Sequence, residues 1–422
     1  MSQPALTIRL MRADDVVDAE LDLRHRSFGP MDAADREFWR AEVRGCIEGG
    51  RQFGVWDDGQ LVGAARFYDM RQYWHGRAVP MAGVGGVKVA PEARGRGVGR
   101  ALMTALLGAM AERGYPLSAL YPATAHLYRS LGWEMAGGHY RAEVPGRSLG
   151  SLLPPDPQVP VPVEAGEVAA WPPGAGPPPA VRRAGPQDAA DVLAVLAAVH
   201  AGARDCGPAT LDPESVRRWL ASPHLFSYLA PGGFLGYGWH GGSDHEIMVH
   251  VLAAGSAQTA RALWGIVGSH ASVTHTVHAV VGPDDPIGWL TREPDVRLRL
   301  HKRWMLRVLD PAAAISGRGF PAAADARAVL RLADAQLPAG AGLHTLTVRD
   351  GEGSLLPGIT ERSAASPAQE PVMLGPRGFA ALYAGVPMAT LRVAGLAAGG
   401  DRGTDEALDE VFASQPYLLD YF

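Results

Sequence analysis

The chain has 422 residues, 47% hydrophobic and 20% charged, a globular composition with material for two or three domains. Its 39 Lys and Arg against 44 Asp and Glu leave a net charge of −5, which excludes the concentrated basic surface that nucleic-acid binding needs. The two cysteines, Cys46 and Cys206, build neither a disulfide scaffold nor a four-ligand zinc site, so a reducing cytoplasm and no metal are expected.

The N-terminus, MSQPALTIRLMRADD, carries Arg and Asp where a signal peptide needs an apolar run. Residues 8–12 predict a short strand, and 14–27 a helix with Asp14 and Asp15 in its first turn. A second helix is expected over 38–48. Residues 52–56 and 61–68, split by Asp57-Asp58-Gly59, predict a hairpin. A strand over 82–90, a helix over 98–113, a strand over 117–121, a short helix over 125–131 and a strand over 134–143 complete a mixed α/β order.

Residues 153–180, LPPDPQVPVPVEAGEVAAWPPGAGPPPA, are dense in proline, which lacks the amide donor, so a linker or surface crossover is expected there. Beyond it the plan returns more faintly. Helices are expected over 187–199 and 213–221, a hairpin around Pro231-Gly232-Gly233, a strand over 246–252 and a helix over 258–268. The span 246–268 echoes 86–108 in its strand, turn and amphipathic helix, which reads as an internal duplication. The uncharged stretch 262–283 contains His270, His275 and His278 among Ser and Thr, and is too polar to span a membrane. A softer break is expected near 292–299, after the turn signal PDDP. The expected pieces are therefore 1–150, then 151–292 with the linker at its start, then 293–422.

The chemistry concentrates in 86–108, GVKVAPEARGRGVGRALMTALLG. Val87, Lys88 and Val89 alternate as a strand, Pro91 ends the pairing, and Arg94-Gly95-Arg96-Gly97-Val98-Gly99-Arg100 lead into a helix striped by Val98, Leu102, Leu106 and Met110. A strand feeding a Gly/Arg loop that opens a helix offers unpaired N–H groups and a positive dipole end, which is a diphosphate cradle. It lacks the Gly-Lys-Ser/Thr of a nucleotide P-loop, and Leu102 stands where the dinucleotide fingerprint needs a third glycine.

The spacing Arg94-x-x-Gly97-x-Gly99 resembles the pyrophosphate loop of the GNAT acetyltransferase superfamily, which binds acetyl-CoA. The stretch 117–134, LSALYPATAHLYRSLGWE, resembles the end of the GNAT core, where a helix tyrosine protonates the departing CoA thiolate. Tyr128 takes that place, and a phenol of pKa ~10 holds its proton at neutral pH.

The first domain and the three-part layout resemble the enhanced intracellular survival family of actinobacterial acetyltransferases. That resemblance rests on VKVAPEARGRGVGRALM, on Tyr128, on RLHKRWMLRVLDP and ALYAGVPMATLR, and on the aromatic end Tyr421-Phe422. It implies an active GNAT domain, a degenerate GNAT domain and a sterol-carrier-like domain. It implies that Val87, Lys88, Val89, the loop Arg94, Gly95, Arg96, Gly97, Val98, Gly99 and Arg100, and then Ala123 and Thr124 contact acetyl-CoA. The Val89 N–H would polarise the acetyl carbonyl, Tyr128 would be the general acid, and the C-terminal carboxylate of Phe422 the general base. Acceptors would be aminoglycoside-like polyamines or lysine side chains, and the assembly a hexamer.

The second domain's equivalent loop, Ala253-Ala254-Gly255-Ser256-Ala257-Gln258-Thr259-Ala260, has one glycine and no arginine, so a structural role is expected. Asp22, Asp32 and Asp35 are candidates for steering a cationic acceptor, and Trp39 and Phe28 for an apolar wall. The acidic run 401–410 would be solvated or help draw a polycation, and His240, His245, His250, His270, His275 and His278 are scattered along strand-like segments rather than set as metal ligands. The alternative function is a lipid- or acyl-CoA-binding protein with little turnover, which an apolar tunnel in the C-terminal piece would favour.

Overall fold

The computed structural model describes residues 6–12, 17–156, 179–240, 245–358, 370–420 and 422. Most of the expected proline-rich linker therefore lies outside the described residues. The chain forms two compact units. Unit 1 holds Met1–Gly137, Arg303–Pro416 and Tyr421–Phe422, and unit 2 holds Gly138–Lys302 and Tyr417–Asp420.

Unit 1 begins with β1 (Thr7–Leu10), α1 (Val17–Phe28), α2 (Ala33–Glu48), β2 (Gln52–Asp57), β3 (Gln60–Trp74), β4 (Arg77–Val89), α3 (Val98–Glu112), β5 (Leu117–Leu120), α4 (Ala125–Arg129) and the start of β6 (Glu134–Pro145). The antiparallel ladder runs from β1 through β4, and β4 then pairs in parallel with β5 over Met81↔Leu117 to Val84↔Leu120. The stripe on α3 does what its spacing predicts: Val98, Leu102, Leu106 and Met110, with Met103 and Leu107, are buried against the sheet. At roughly 1.5–3 kcal/mol per fully buried large apolar side chain, that face anchors the helix and fixes its N-terminus at the mouth of the β4–β5 fork.

The strand expected over 61–68 is longer than that: β3 continues past Tyr68 to a tight turn at His75-Gly76, both at positive φ, and forms a hairpin with β4. Its tip enters the C-terminal part of unit 1, where Trp74 accepts from the Gly319 N–H. There the fully buried Arg318 guanidinium lies among the rings of Trp74, Phe320, Tyr383 and Phe412, 4.3–5.2 Å from their centroids.

Unit 2 repeats the plan with α5 (Gly146–Leu149), β7 (Arg182–Arg183), α6 (Ala189–Ala203), β8 (Ala209–Leu211), α7 (Pro213–Leu220), β9 (Leu225–Ala230), β10 (Gly233–His240), β11 (Glu246–Ala254), α8 (Ala257–Gly268), β12 (Thr276–Val281), α9 (Ile287–Leu290) and the start of β13 (Arg297–Val308). Here β11 pairs in parallel with β12, as β4 does with β5.

The sixth strand of each sheet comes from elsewhere in the chain. In unit 1, Met305–Val308 of β13 pair antiparallel with β5. In unit 2, residues 140–145 of β6 pair antiparallel with β12. The remainder of unit 1 is α10 (Pro311–Gly317), β14 (Ala326–Leu332), β15 (Gly342–Arg349), β16 (Glu352–Pro357), β17 (Val372–Leu374), α11 (Pro376–Tyr383), α12 (Met388–Val393), β18 (Ala397–Ala398) and α13 (Arg402–Phe412). Its five-stranded sheet has the order β16-β15-β14-β17-β18. Among the described residues, no helix is long and apolar enough to cross a membrane.

Candidate active site

The loop between β4 and α3 has the shape its composition implies. Gly95 and Gly97 both sit at φ 77°, a left-handed conformation that favours glycine, and no atom lies within 4 Å of where a Cβ on either would be. Gly97 is the N-cap of α3 and provides no side-chain cap, so the first-turn amides face that open space. An exposed glycine loop at a helix start without a side-chain cap has the free amide chemistry that a diphosphate would need.

The arginines are already held. Arg96 Nη1 donates to Asp57 at 2.7 Å and Arg100 Nη1 to Ser130 Oγ at 2.7 Å, while Arg94 Nε makes a long contact of 3.4 Å to the Val89 carbonyl. They frame the loop as a positive rim, with the backbone providing the cradle.

The corresponding loop of unit 2 is closed to such a ligand. Ser256 caps α8 by accepting from the Thr259 N–H at 3.1 Å, and the Thr259 hydroxyl donates to the Pro231 carbonyl at 2.9 Å. The helix start that has no side-chain cap in unit 1 is capped by a side chain in unit 2.

The fork itself opens at Gly85, one residue beyond the last β4–β5 pair. A register shift opposite Ala64 and Arg66 bulges β4, with Gly86 at φ 61°. Phe422 lies at this point. Its ring packs edge-on to Tyr121 at 5.6 Å and Tyr68 at 6.3 Å, and its carboxyl carbon is 3.2 Å from the place a Gly85 Cβ would occupy. Gly83 is equally constrained, since a Cβ there would meet Phe422 Cε2 at 2.9 Å and Met70 Sδ at 2.5 Å. The C-terminal residue is thus seated in the fork between β4 and β5.

Tyr128 projects from α4, the helix that follows β5, and is buried edge-on to Trp133. Burial pushes its phenol up to about 12, so the hydroxyl keeps its proton. Ala123 and Thr124 are exposed in the turn just before α4. Val87 and Val89 are half-buried on the splayed end of β4, and Val98 is fully inside the core.

Lys88 is turned away from the fork. Its side chain is buried in an ion pair with Glu20 of α1, and Nζ also donates to the Gly86 carbonyl at 3.1 Å. Only its backbone faces the cradle side of the strand, so any cofactor contact at Lys88 is confined to main-chain atoms. Desolvation lowers the Lys88 pKa, partly offset by Glu20.

A second buried set lies beside it. Arg66 donates to the Tyr68 hydroxyl at 2.6 Å and to Glu42 at 2.7 Å, and the Tyr68 hydroxyl donates to Glu42 at 2.9 Å. These two ion pairs tie α1 and α2 to the bulge under the fork. Composition alone does not single them out. The signal is a charge inside an apolar strand run: Arg66 within LVGAARFY, Lys88 within GVGGVKV.

The other candidates are placed as follows. Asp22 pairs with Arg26, and Asp32 caps α2 by accepting from the Asp35 N–H at 2.8 Å. Trp39 is in a core with Met11, Leu21, Val43 and Ile47 and lines no open wall, whereas Phe28 is 55% exposed. His278 pairs with Glu246, and among the described residues no group of three or more His, Cys, Asp or Glu side chains is arranged to hold a metal. A cavity of about 390 Å³ by the C-terminal sheet is lined by both charged and apolar residues, among them Arg129, Leu131, Asp334, Pro376, Arg377 and Leu396.

This geometry has known relatives. Residues 7–136 and 221–308 each match an acetyltransferase (GNAT) domain family, and 311–419 match a sterol carrier protein domain family. The chain is similar to the crystal structure of a GCN5-related N-acetyltransferase from Kribbella flavida, with 39% identity, coverage of 100% of this chain and 99% of that one, and a TM-score of 0.86. An uncharacterized N-acetyltransferase of Streptomyces avermitilis is 29% identical over 372 residues, covering 82% of this chain and 83% of the relative. The fold also matches Eis1 from Mycobacterium abscessus at 22% identity, covering 99% of this chain and 100% of that one, with a TM-score of 0.71.

Proposed function

The chain belongs to the GCN5-related N-acetyltransferases and is Eis-like in its order of domains, and we propose that it moves the acetyl group of acetyl-CoA to primary amines of aminoglycoside-like polyamines or lysine side chains. Acetyl-CoA supplies a thioester carbonyl as electrophile and a thiolate as leaving group. The chain's own residues supply the rest. The uncapped start of α3 with Gly95 and Gly97 takes the diphosphate, and the unpaired end of β4 presents the Val89 N–H to the carbonyl. An ammonium cannot attack, so the amine must lose a proton, and the ionised carboxylate of Phe422 accepts it. The Tyr128 hydroxyl holds the proton that the leaving sulfur needs.

The observation that carries this reading is the seat of Phe422, whose carboxyl carbon lies against Gly85 where β4 and β5 part. The test is thiol release from acetyl-CoA with a panel of amines, polyamines and lysine peptides. Amine-dependent release at rates far above hydrolysis is expected; none with any primary amine would overturn the reading in favour of a binding protein. By the same family resemblance we place the enzyme in the cytoplasm as a homo-hexamer, a state that sedimentation measures directly.

A further inference from the structure

The cavity of about 390 Å³ lies wholly within unit 1, where the turn from α4 into β6, the residues after β14 and the start of α11 meet. One buried carboxylate organises its charged side. Glu134 Oε1 accepts from Arg129 Nε at 2.9 Å and Oε2 from Arg377 Nε at 2.6 Å, and each guanidinium also sets its Nη2 against the same oxygen. Desolvation works against the ionisation of Glu134, but hydrogen bonds from Arg129, the Met135 N–H and Arg377 prevail and hold its carboxyl below the usual range. Two arginines therefore share one negative charge. Their side chains are 42% and 39% exposed, and with Nε and Nη2 spent on Glu134 each has its Nη1 directed away from that carboxylate.

The other acid on the wall is neutralised in place. Asp334 Oδ2 pairs with the fully buried Arg307, and Oδ1 accepts from the N–H groups of Gln336 and Leu337 at 3.0 and 3.1 Å. Arg307 Nε also donates to the Leu131 carbonyl at 3.1 Å, and a Cβ on Gly132 would meet that Nε at 2.7 Å and Pro376 Cβ at 2.9 Å. The walls are pinned to one another, so the site is preorganised. Three arginines against two carboxylates leave it one net positive charge. The first-turn amides of α11, which has no side-chain cap, add to the same sign.

We propose that this cavity binds a phosphoryl group, free or carried on a small organic ester, between Arg129 and Arg377. The charge excess calls for an anion. Guanidinium edges from two separate elements, with the α11 amides as a third direction, suit the tetrahedral oxygens of a phosphate better than a planar carboxylate, which a single arginine fork satisfies. Size favours an ester over the bare ion: about 390 Å³ is in the range of small-molecule pockets, and Leu131, Pro376 and Leu396 add apolar wall for an organic body. Among the described residues, none that lines the cavity belongs to the loop 94–100, although Ser130 of its wall accepts from Arg100.

Calorimetry on the full chain at low salt tests this, with phenyl phosphate, inorganic phosphate and benzoate as probes. Expected is saturable binding of phenyl phosphate, at least about tenfold tighter than benzoate and unchanged by saturating acetyl-CoA. Arg377→Ala removes one fork, and Ala335→Trp, at an exposed lining position, fills the cavity. Each should weaken phenyl phosphate by at least about tenfold while acetyl-CoA affinity stays native. If Arg377→Ala lowers the unfolding temperature by loosening Glu134, Ala335→Trp decides alone, since it changes neither arginine. Inorganic phosphate bound as tightly as the ester, and weakened by the same variants, supports the site with the free ion as its occupant. No saturable binding, native affinity in Ala335→Trp, or benzoate as tight as phosphate overturns the proposal. Displacement by acetyl-CoA overturns it too, because the probe would then sit on the cofactor loop.

Discussion

The carboxyl carbon of Phe422 stands 3.2 Å from where Gly85 would carry a Cβ, and the Tyr68 hydroxyl stands 3.6 Å from the same point. The last residue of the chain and a residue of the fourth strand thus share one small space at the mouth of the β4–β5 fork.

Amidating the C-terminus keeps the Phe422 ring and removes the charge. We expect the amidated protein to fold and bind acetyl-CoA but to acetylate amines poorly, because a main-chain carboxylate of pKa ~3.3–3.7 is the ionised acceptor at neutral pH. A C-terminal tag should impair turnover in the same way. Native turnover of amidated enzyme across pH 6–9 would require another proton path.

Tyr128→Phe removes one proton and little packing. Turnover is expected to fall by ~10²–10⁴-fold with unchanged acetyl-CoA affinity. Because burial holds this phenol up to about 12, the wild-type profile should show no loss attributable to Tyr128 below pH 10. Full activity of the phenylalanine variant would leave Tyr128 as a packing residue beside Trp133.

Gly97→Val forces a β-branched residue to φ 77° and fills the open cradle. Calorimetry should show acetyl-CoA affinity weakened at least tenfold, a value consistent with the ~1–2 kcal/mol of left-handed strain plus lost approach. Gly255→Val in unit 2 should leave affinity alone, since Ser256 and Thr259 already occupy that helix start. Equal effects at both positions would mean the loss comes from folding.

Lys88→Met leaves Glu20 buried without its cation. Removing one member of a buried pair costs about 3–5 kcal/mol, so the urea midpoint should drop sharply. The double variant Lys88→Met/Glu20→Met should recover much of that loss. A double variant as unstable as the sum of the single ones would show that the two side chains act independently.

His139 is buried in unit 2, and desolvation lowers its pKa to about 4, with Arg141 next among the causes. Its folded value lies below the unfolded 6.5, so the folded state binds the proton more weakly than the unfolded chain. The stability it contributes is present above pH 6.5 and is lost as pH falls through about 4. At ~1.4 kcal/mol per unit the loss is a few kcal/mol. His139→Asn should flatten the acid limb of an unfolding-temperature profile between pH 6.5 and 4; an unchanged limb would assign it to other groups.

The parts of this arrangement that are legible in the residues are local ones. The strand, Gly/Arg loop and helix stripe over 86–110 are adjacent in the chain, so spacing reports them directly. The same holds for the faded copy around Gly255, where the absence of arginine already separates the two loops. What spacing does not report is pairing at long range. The strand expected over 61–68 reads as ending at Tyr68 because Asp69, Arg71 and Gln72 interrupt the apolar run. Yet Gln72 is fully buried and the strand continues to Trp74, whose ring needs the Arg318 side of the C-terminal part. No spacing singles out Glu20 of α1 or the half-buried Glu42 of α2, which acquire their cations only when β4 and β3 bring Lys88 and Arg66 beside them.

The origin of the sixth strands bears on how this chain is made. A ribosome that has released residues 1–150 has delivered all of β1 to β5, but the partner of Leu117–Leu120 is Met305–Val308, still unsynthesised. Until then β5 has an open edge, and open apolar edges recruit other chains. A gene fragment cut at the apparent end of the first repeat inherits that edge permanently. Expressed alone, it should aggregate or form dimers through β5, and supplying the 297–308 segment in trans should restore it to a monomer.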